Sequence, residues 1–136
     1  MDYAIPLPQP SCLKIAGSKK LFPVNRIFCV GRNYADHARE MGHDPNREPP
    51  FFFTKFGDAV FTQTDYPYPT ATNDLHPECE MVVALHSGGT NIDEEQALEC
   101  VFAYGVGFDI TRRDMQQEAK NLARPWALSK GPDYAA

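Results

Sequence analysis

The chain has 136 residues, of which 43% are apolar, and this suits a single domain with a core of modest size. Thirteen basic and eighteen acidic residues give a net charge of −5 without a stripe of Lys and Arg, so nucleic acid and anionic membranes are not expected partners. The apolar runs are too short to span a bilayer. Four widely spaced cysteines, and a start without signal-peptide features, predict reduced thiols in a cytoplasmic protein.

The beginning of the chain is rich in proline and shows little periodicity, which predicts an irregular N-terminal arm over residues 1–25. Residues 26–136 are predicted to form one domain. This domain opens with the β-rich segment "RIFCV" (26–30), which is followed by Gly31, a turn or cap signal.

The next segment, "NYADHAREM" (33–41), is predicted to be a short helix. His37 and Glu40 lie three positions apart, so they are neighbours on its surface. A carboxylate that orients a histidine is a usual arrangement for a general base. On spacing alone, a solvated helix face explains the pair better.

Two lysines stand in apolar surroundings. Lys55 lies in "FFFTKF", a predicted strand over residues 51–56, and Lys130 lies in "PWALSKG", a predicted loop-to-strand segment. Each lysine could be a buried cation that faces carboxylates, or a surface residue whose stem covers apolar atoms.

The stretch "DLHPECEM" places His76, Glu78 and Glu80 at alternate positions at the start of a predicted strand, roughly 78–85. Alternate residues of a strand share one face. Two carboxylates on one face repel each other and lose solvation near a core, so a bound cation is one explanation. An acidic outward face is the other, and spacing alone slightly favours it. Cys79 would point the opposite way, as a small core residue.

A second strand is predicted downstream of a short helix that begins near Asp93 and ends near Cys100. The strand, "VFAYGVGFDI" (101–110), alternates bulky with small residues, which indicates one bulky face and one closely approached face. Asp109 near its end is a third carboxylate beside an apolar run, and hard divalent cations prefer such oxygen ligands.

The strand is followed by a predicted helix over residues 112–121. Thr111 and Asp114 have the spacing of a capping box at its start. Arg113 and Gln116 lie three positions apart and therefore share a helix face.

Five blocks in order give the chain a specific resemblance. They are "CVGRNYADHAREMG" (29–42), "EPPFFFTKF" (48–56), "DLHPECEMVVAL" (74–85), "AYGVGFDITRRDMQ" (103–116) and "RPWALSKGPD" (124–133). With these blocks the chain resembles the fumarylacetoacetate hydrolase family, in its acylpyruvate and fumarylpyruvate hydrolase branch. The resemblance implies an α+β fold, mostly β: a mixed β-roll with short helices, apparently truncated on its C-terminal side.

The resemblance also implies roles for single residues. The metal-ligand motif of the family matches Glu78, Glu80 and Asp109, with Mg²⁺ or Mn²⁺ as the expected ion and Ca²⁺ as a substitute in crystals. The family's catalytic His–Glu dyad, on a lid helix, matches His37 and Glu40, and its active-site lysine matches Lys130. Arg113, Gln116 and Lys55 match positions that line the substrate site.

The implied activity is hydrolysis of a C–C bond in a small diketo acid, an acylpyruvate such as fumarylpyruvate, by a metal-dependent homodimeric enzyme of the cytoplasm. Two alternatives stay open. One is decarboxylation or keto–enol isomerisation of a 2-oxoacid at the same site. The other is a catalytically silent partial chain that serves association only.

Overall fold

The computed structural model describes residues 2–31, 33–34 and 50–136. This part of the chain is mostly β, with short helices, as expected from the sequence. Its strands are β1 (Cys12–Lys14), β2 (Leu21–Pro23), β3 (Arg26–Gly31), β4 (Phe51–Phe56), β5 (Leu75–Leu85) and β6 (Val101–Arg112). Its α-helices are α1 (Glu94–Glu99), α2 (Arg113–Asn121) and α3 (Ala127–Lys130), and Gly57–Ala59 forms one 3-10 turn.

The N-terminal segment is not wholly irregular, since β1 and β2 form an antiparallel hairpin. Its connection contains Gly17, whose φ of 72° lies in the left-handed region that glycine adopts without steric cost. Phe22 of β2 stacks on Phe102 of β6, with 5.6 Å between the ring centroids. The expectation of an irregular arm was wrong here because two three-residue strands are too short to show an alternating pattern.

The second hairpin, β3 with β4, confirms the two strands predicted on either side of the segment 33–41. Ile27 lies opposite Lys55 and Cys29 opposite Phe53, so these four side chains share one face. Gly31 is needed at the end of β3, because the ring of Phe51 stands where a Cβ would be. Lys55 is the buried residue of β4.

The longest hairpin, β5 with β6, explains the alternating acidic residues. β5 begins at Leu75, three residues earlier than expected, and Glu78 lies opposite Asp109. Glu80 lies opposite Gly107 on the same face. Glu78 and Glu80 therefore share one face of the hairpin, as predicted, and the strand register adds Asp109 to that face.

The other face of the β5–β6 hairpin is apolar and exposed in the described structure. Its large side chains are Met81, Val83, Tyr104, Val106 and Phe108. Cys79 lies on this face and is exposed. Its prediction as a small core residue was therefore wrong, although the face was assigned correctly.

Two helix starts differ in how well the sequence predicted them. α1 begins as expected, with the Asp93 side chain accepting a hydrogen bond of 2.9 Å from the Gln96 amide. α2 begins at Arg113, and Thr111 does not cap it, because Thr111 is a fully buried residue near the end of β6. Asp114 instead accepts hydrogen bonds from Thr72 and from the Asn73 amide.

Lys130 was expected in a loop-to-strand segment, but it ends the one-turn helix α3. The short run after Trp126 has no strand partner among the described residues, and Gly131 N closes the turn by bonding to Ala127 O at 3.0 Å. The turn directs the Lys130 side chain inward, where it is buried.

The buried part of the described chain is more polar than apolar. Its buried polar residues are Lys55, Thr72, Asp109, Thr111, Gln116, Ser129 and Lys130, and its buried apolar ones are Ala59, Ile110, Pro132 and Ala135. Most of them lie where β4, the end of β6, α2 and α3 meet. The core and the candidate site are thus largely the same place.

Two further sequence predictions meet the described structure only in part. The helix predicted over residues 33–41, with His37 and Glu40, lies outside the described residues except for positions 33–34. In the parts of the chain that are described, no helix has the length and apolar character needed to cross a membrane.

A matched glycine pair in β6 tests the close packing of the hairpin. A Cβ on Gly107 would lie 2.9 Å from Cγ2 of Val82, whereas a Cβ on Gly105 would meet Val82 only at 3.9 Å. Gly107→Ala should therefore lower the free energy of unfolding by about 1–2 kcal/mol, because Val82 has to leave its rotamer or shift. Gly105→Ala is the control and should be neutral or slightly stabilising. Urea unfolding of both variants checks this, and equal effects would contradict the predicted clash.

Candidate active site

Five charged side chains from five different elements converge at one place. They are Lys55 from β4, Glu78 from β5, Asp109 from β6, Arg113 from α2 and Lys130 from α3. The side chains of Lys55, Lys130 and Asp109 are only 1%, 4% and 9% exposed. Charges so far from water have to be paired, and here each one is. All five were singled out from the sequence, and the fold brings them together.

Lys130 lies at the centre of this cluster. Its ammonium group donates to Glu78 Oε2, Asp109 Oδ2 and Thr111 Oγ1, each at 2.7 Å. An ammonium group has three N–H bonds, so each has a protein acceptor. The Phe53 ring covers the same group at 5.0 Å, a cation–π contact.

Lys55 joins the cluster through Asp109 and through two backbone carbonyls. It donates to the carbonyl of Ile110 at 3.1 Å and to the carbonyl of Lys130, and its Nζ lies 2.8 Å from Asp109 Oδ1. Burial lowers the pKa of Lys55, while the charge of Asp109 opposes that shift. Because two of its donors bind backbone carbonyls and its charge is paired with Asp109, the geometry favours a positioning role for Lys55 over direct contact with a substrate.

The face of α2 that was predicted to line the site turns toward β5. Arg113 donates to Glu78 Oε1 through one guanidinium nitrogen and to Gln116 Oε1 through the other. Gln116 is buried, which fits its predicted place beside the cluster.

The two glutamates of β5 have opposite electrostatic environments. Burial alone would raise the pKa of Glu78, but hydrogen bonds and charges from Lys130 and Arg113 outweigh it and hold that pKa below its ordinary value. Burial raises the pKa of Glu80, a hydrogen bond with Tyr34 opposes it, and the charges of Asp109 and Glu78 add to it. Glu80 therefore receives little of the cationic support that Glu78 receives.

The residues fit a divalent cation in chemistry and placement. Glu78, Glu80 and Asp109 supply oxygen ligands from one face of a hairpin, the set that Mg²⁺ and Mn²⁺ favour. Asp109 Oδ1 is buried and accepts no hydrogen bond of good geometry, although Lys55 Nζ is 2.8 Å away, so a lone pair remains for a cation. No group of three His, Cys, Asp or Glu side chains within the described ranges is already arranged as an ion cage, since Lys130 holds two of the carboxylates.

Three neighbouring residues differ from what the sequence suggested. His76 alternates with the two glutamates in sequence, but its ring lies 3.0 Å from Asp74 and is exposed. Thr111 was missed as a site residue because its spacing to Asp114 is that of a helix cap. Cys29 was also missed. Burial, and next the charge of Asp109, raise the pKa of its thiol to about 11. The Cys29 thiol is therefore neutral beside the charged cluster.

Comparison with known proteins identifies the family of the chain. The family model described as the C-terminal region of fumarylacetoacetate (FAA) hydrolase matches residues 26–136. The chain belongs to this family of enzymes. The start of the match coincides with the start of β3.

Individual relatives are similar over most of this chain. A crystal structure of fumarylpyruvate hydrolase from Pseudomonas aeruginosa, in complex with Mn²⁺ and pyruvate, is 47% identical with a TM-score of 0.93, over 98% of this chain and 60% of that one. The mitochondrial oxaloacetate decarboxylase of Dictyostelium discoideum is 39% identical over 110 residues, which is 79% of this chain and 50% of that protein. A mitochondrial oxaloacetate tautomerase of Caenorhabditis elegans is 34% identical over 119 residues, 88% of this chain and 55% of the relative. The chain thus spans about half the length of these curated relatives.

The two glutamates provide a matched test of the site's electrostatics. In metal-free buffer at pH 7, Glu78→Gln should lower the free energy of unfolding by about 2 kcal/mol, because charge-assisted hydrogen bonds are lost. Glu80→Gln should leave it unchanged or raise it, since the raised pKa of Glu80 shows that its charge is disfavoured in the folded state.

The pH dependence of the same variants follows from the directions of the two pKa shifts, since the pKa of Glu78 is lowered and that of Glu80 is raised. The lowered pKa of Glu78 gives stability that is present above the unfolded carboxyl pKa and is lost as the pH falls through the lower, folded pKa. The cost of ionised Glu80 disappears as the pH falls through its raised pKa. The difference between the variants should therefore shrink from pH 7 to about pH 3, below the reference carboxyl pKa of about 4.3. Urea unfolding at both pH values measures it, and a difference that grows toward acid would contradict the assignment.

Proposed function

We propose that the chain provides the metal-dependent catalytic site of a hydrolase that cleaves a C–C bond in an acylpyruvate-type diketo acid, fumarylpyruvate or a similar compound, and releases pyruvate. The observation that carries this proposal is the cluster of buried, paired charges, in which Lys130, Glu78 and Asp109 meet within 2.7 Å contacts. Buried charges of this kind, at the positions where the family binds its ion, are costly unless they serve a site.

The structural neighbour from Pseudomonas aeruginosa supports the substrate class. It is a fumarylpyruvate hydrolase, it contains Mn²⁺ and pyruvate, and it superposes on 98% of this chain with a TM-score of 0.93. Pyruvate is the product expected from an acylpyruvate. We therefore assign Mg²⁺ or Mn²⁺ as the ion and a 2-oxo acid as the part of the substrate beside it.

The charges of the cluster are consistent with an anionic substrate. Three carboxylates (Glu78, Glu80 and Asp109) face three cations (Lys55, Lys130 and Arg113), so these side chains sum to zero. A divalent cation held by the carboxylates would add two positive charges, act as a Lewis acid on the oxygens of the 2-oxo acid and favour an anion there.

The remaining chemistry belongs to side chains of this protein. His37, oriented by Glu40, would take a proton from a water molecule that forms a bond to the distal carbonyl carbon. The bond between that carbon and the adjacent methylene then breaks, and its electron pair leaves as the enolate of pyruvate, which is protonated to pyruvate. Lys130 and Gln116 would donate hydrogen bonds to the oxyanion that develops on the distal carbonyl.

A second candidate is decarboxylation or keto–enol isomerisation of a 2-oxo acid. The Dictyostelium relative is an oxaloacetate decarboxylase, and the Caenorhabditis relative is an oxaloacetate tautomerase. Both reactions pass through an enolate that the same positive charges would stabilise. Decarboxylation needs no water activated by His37, and this difference separates the candidates.

Two substitutions should separate the base from the ion site. His37→Ala should lower kcat for acylpyruvate hydrolysis by roughly 10²–10⁴-fold, the usual contribution of a general base, and should leave Mn²⁺ affinity unchanged. Glu80→Ala should abolish both Mn²⁺ binding and turnover. Steady-state kinetics and Mn²⁺ titration of each variant measure the two effects.

The products decide between the candidate reactions. Pyruvate release from fumarylpyruvate and CO₂ release from oxaloacetate are measured for the same variants. If His37→Ala keeps normal turnover while Glu80→Ala loses it, the base assignment is wrong and decarboxylation or isomerisation is the better assignment. If wild-type enzyme with Mn²⁺ releases no pyruvate from acylpyruvates, the hydrolase assignment fails.

A further inference from the structure

We propose that Lys130 and the divalent cation exchange places on Glu78 and Asp109, so that binding of the cation frees donors of Lys130 for the substrate. The identity of the cation and the role of the freed donors rest on the function proposed above. The exchange itself rests on the contacts of one ammonium group.

The first argument is that both cations require the same oxygens. Lys130 Nζ is 2.7 Å from Glu78 Oε2 and 2.7 Å from Asp109 Oδ2, and Arg113 uses the other oxygen of Glu78. A divalent ion at coordination distance from both carboxylates would lie close to an ammonium group in the same place, and two cations at such a distance repel strongly away from water. One of them has to move.

The second argument is that Lys130 can leave without orphaning a backbone group. Its three acceptors are side-chain oxygens, and a divalent cation can satisfy the two carboxylates in its place. Lys55 differs, because it donates to the backbone carbonyls of Ile110 and Lys130. Withdrawing Lys55 would leave two buried carbonyls without a donor, which is costly. The exchange is therefore assigned to Lys130.

Thr111 explains where the displaced group goes. Its hydroxyl is fully buried, donates to the Asp109 carbonyl at 3.2 Å and accepts from Lys130 Nζ at 2.7 Å. A divalent cation held by Glu78 and Asp109 would remove two acceptors of Lys130 and would leave Thr111 as the third. The ammonium group can therefore pivot on Thr111 with two N–H bonds free.

This arrangement couples the presence of the ion to the availability of the Lys130 donors, both of which the proposed reaction requires. With its three donors on protein oxygens, Lys130 has none for an oxyanion. After the exchange it has two, and it lies next to the ion that binds the 2-oxo acid. The cationic donor would thus become available only when the ion is present.

The central experiment compares Mn²⁺ affinity among three proteins. Lys130→Met removes the competing charge but keeps a long apolar side chain, and Lys14→Met makes the same chemical change on the exposed edge of β1. Electron paramagnetic resonance of free Mn²⁺ during titration gives the dissociation constants. We expect Lys130→Met to bind Mn²⁺ at least about tenfold more tightly than wild type, the scale of one lost charge-assisted contact, and Lys14→Met to bind like wild type. Equal or weaker binding by folded Lys130→Met would overturn the proposal.

A second measurement uses wild-type protein, because Lys130→Met leaves Glu78 and Asp109 short of one cation and can fail to fold. In protein labelled with ¹⁵N at lysine Nζ, Mg²⁺ should shift the Lys130 resonance and leave that of Lys55 nearly unchanged. Trp126, the only tryptophan of the chain, precedes α3 and contacts Phe53 at 6.0 Å between ring centroids, so its fluorescence should change with the same Mg²⁺ dependence. A Lys130 resonance that does not respond to saturating Mg²⁺ would also overturn the proposal.

These measurements separate the inference from the proposed function. Neither the Mn²⁺ affinity nor the lysine resonance depends on turnover. If the exchange is observed and pyruvate is not released, the hydrolase assignment fails and the exchange stands. If hydrolysis is observed without the exchange, Lys130 has another role in the same reaction.

Discussion

The described structure depends on one constraint: the ammonium group of Lys130 is buried and has to be paired. Three contacts of 2.7 Å, to Glu78, Asp109 and Thr111, satisfy it. In return, the buried Asp109 and the partly buried Glu78 can lie side by side on adjacent strands, where they would otherwise repel. Removing one partner of such a group is expected to cost more than the pair contributes, because an unpaired buried charge remains.

The same contacts link elements that are distant from one another in sequence. β4 reaches β6 and α3 through Lys55, α2 reaches β5 through Arg113, and α3 reaches β5 and β6 through Lys130. The buried apolar residues among those described are few and small, with Ile110 the largest. The residues proposed for catalysis therefore also link these elements to one another.

Much of the secondary structure was predictable because it follows local rules. The alternation of side chains predicted β5 and β6, and the capping residue Asp93 predicted α1. Both patterns depend only on residues within a few positions of each other in the chain. The β1–β2 hairpin and helix α3 were missed because three or four residues carry too weak a periodic signal. Thr111 was misassigned because its spacing to Asp114 is that of a capping box, whereas its tertiary environment places it in a strand.

The sequence predicted which carboxylates belong to the acidic site, but not which of them are paired with cations. Alternate positions on a strand predicted that Glu78 and Glu80 share a face, and the strand register adds Asp109. Which glutamate is supported by cations depends on α2 and α3, which are distant in sequence from β5. The sequence pattern treats the two glutamates alike, yet the pKa of Glu78 is lowered and that of Glu80 is raised.

The two lysines, Lys55 and Lys130, also look alike in sequence as lone cations in apolar runs, and they differ for a similar reason. Lys55 donates to two backbone carbonyls, while Lys130 donates only to side chains, and a divalent cation could satisfy the two carboxylates among them. The proposed difference in role between the two lysines therefore rests on the chemistry of their acceptors rather than on their burial.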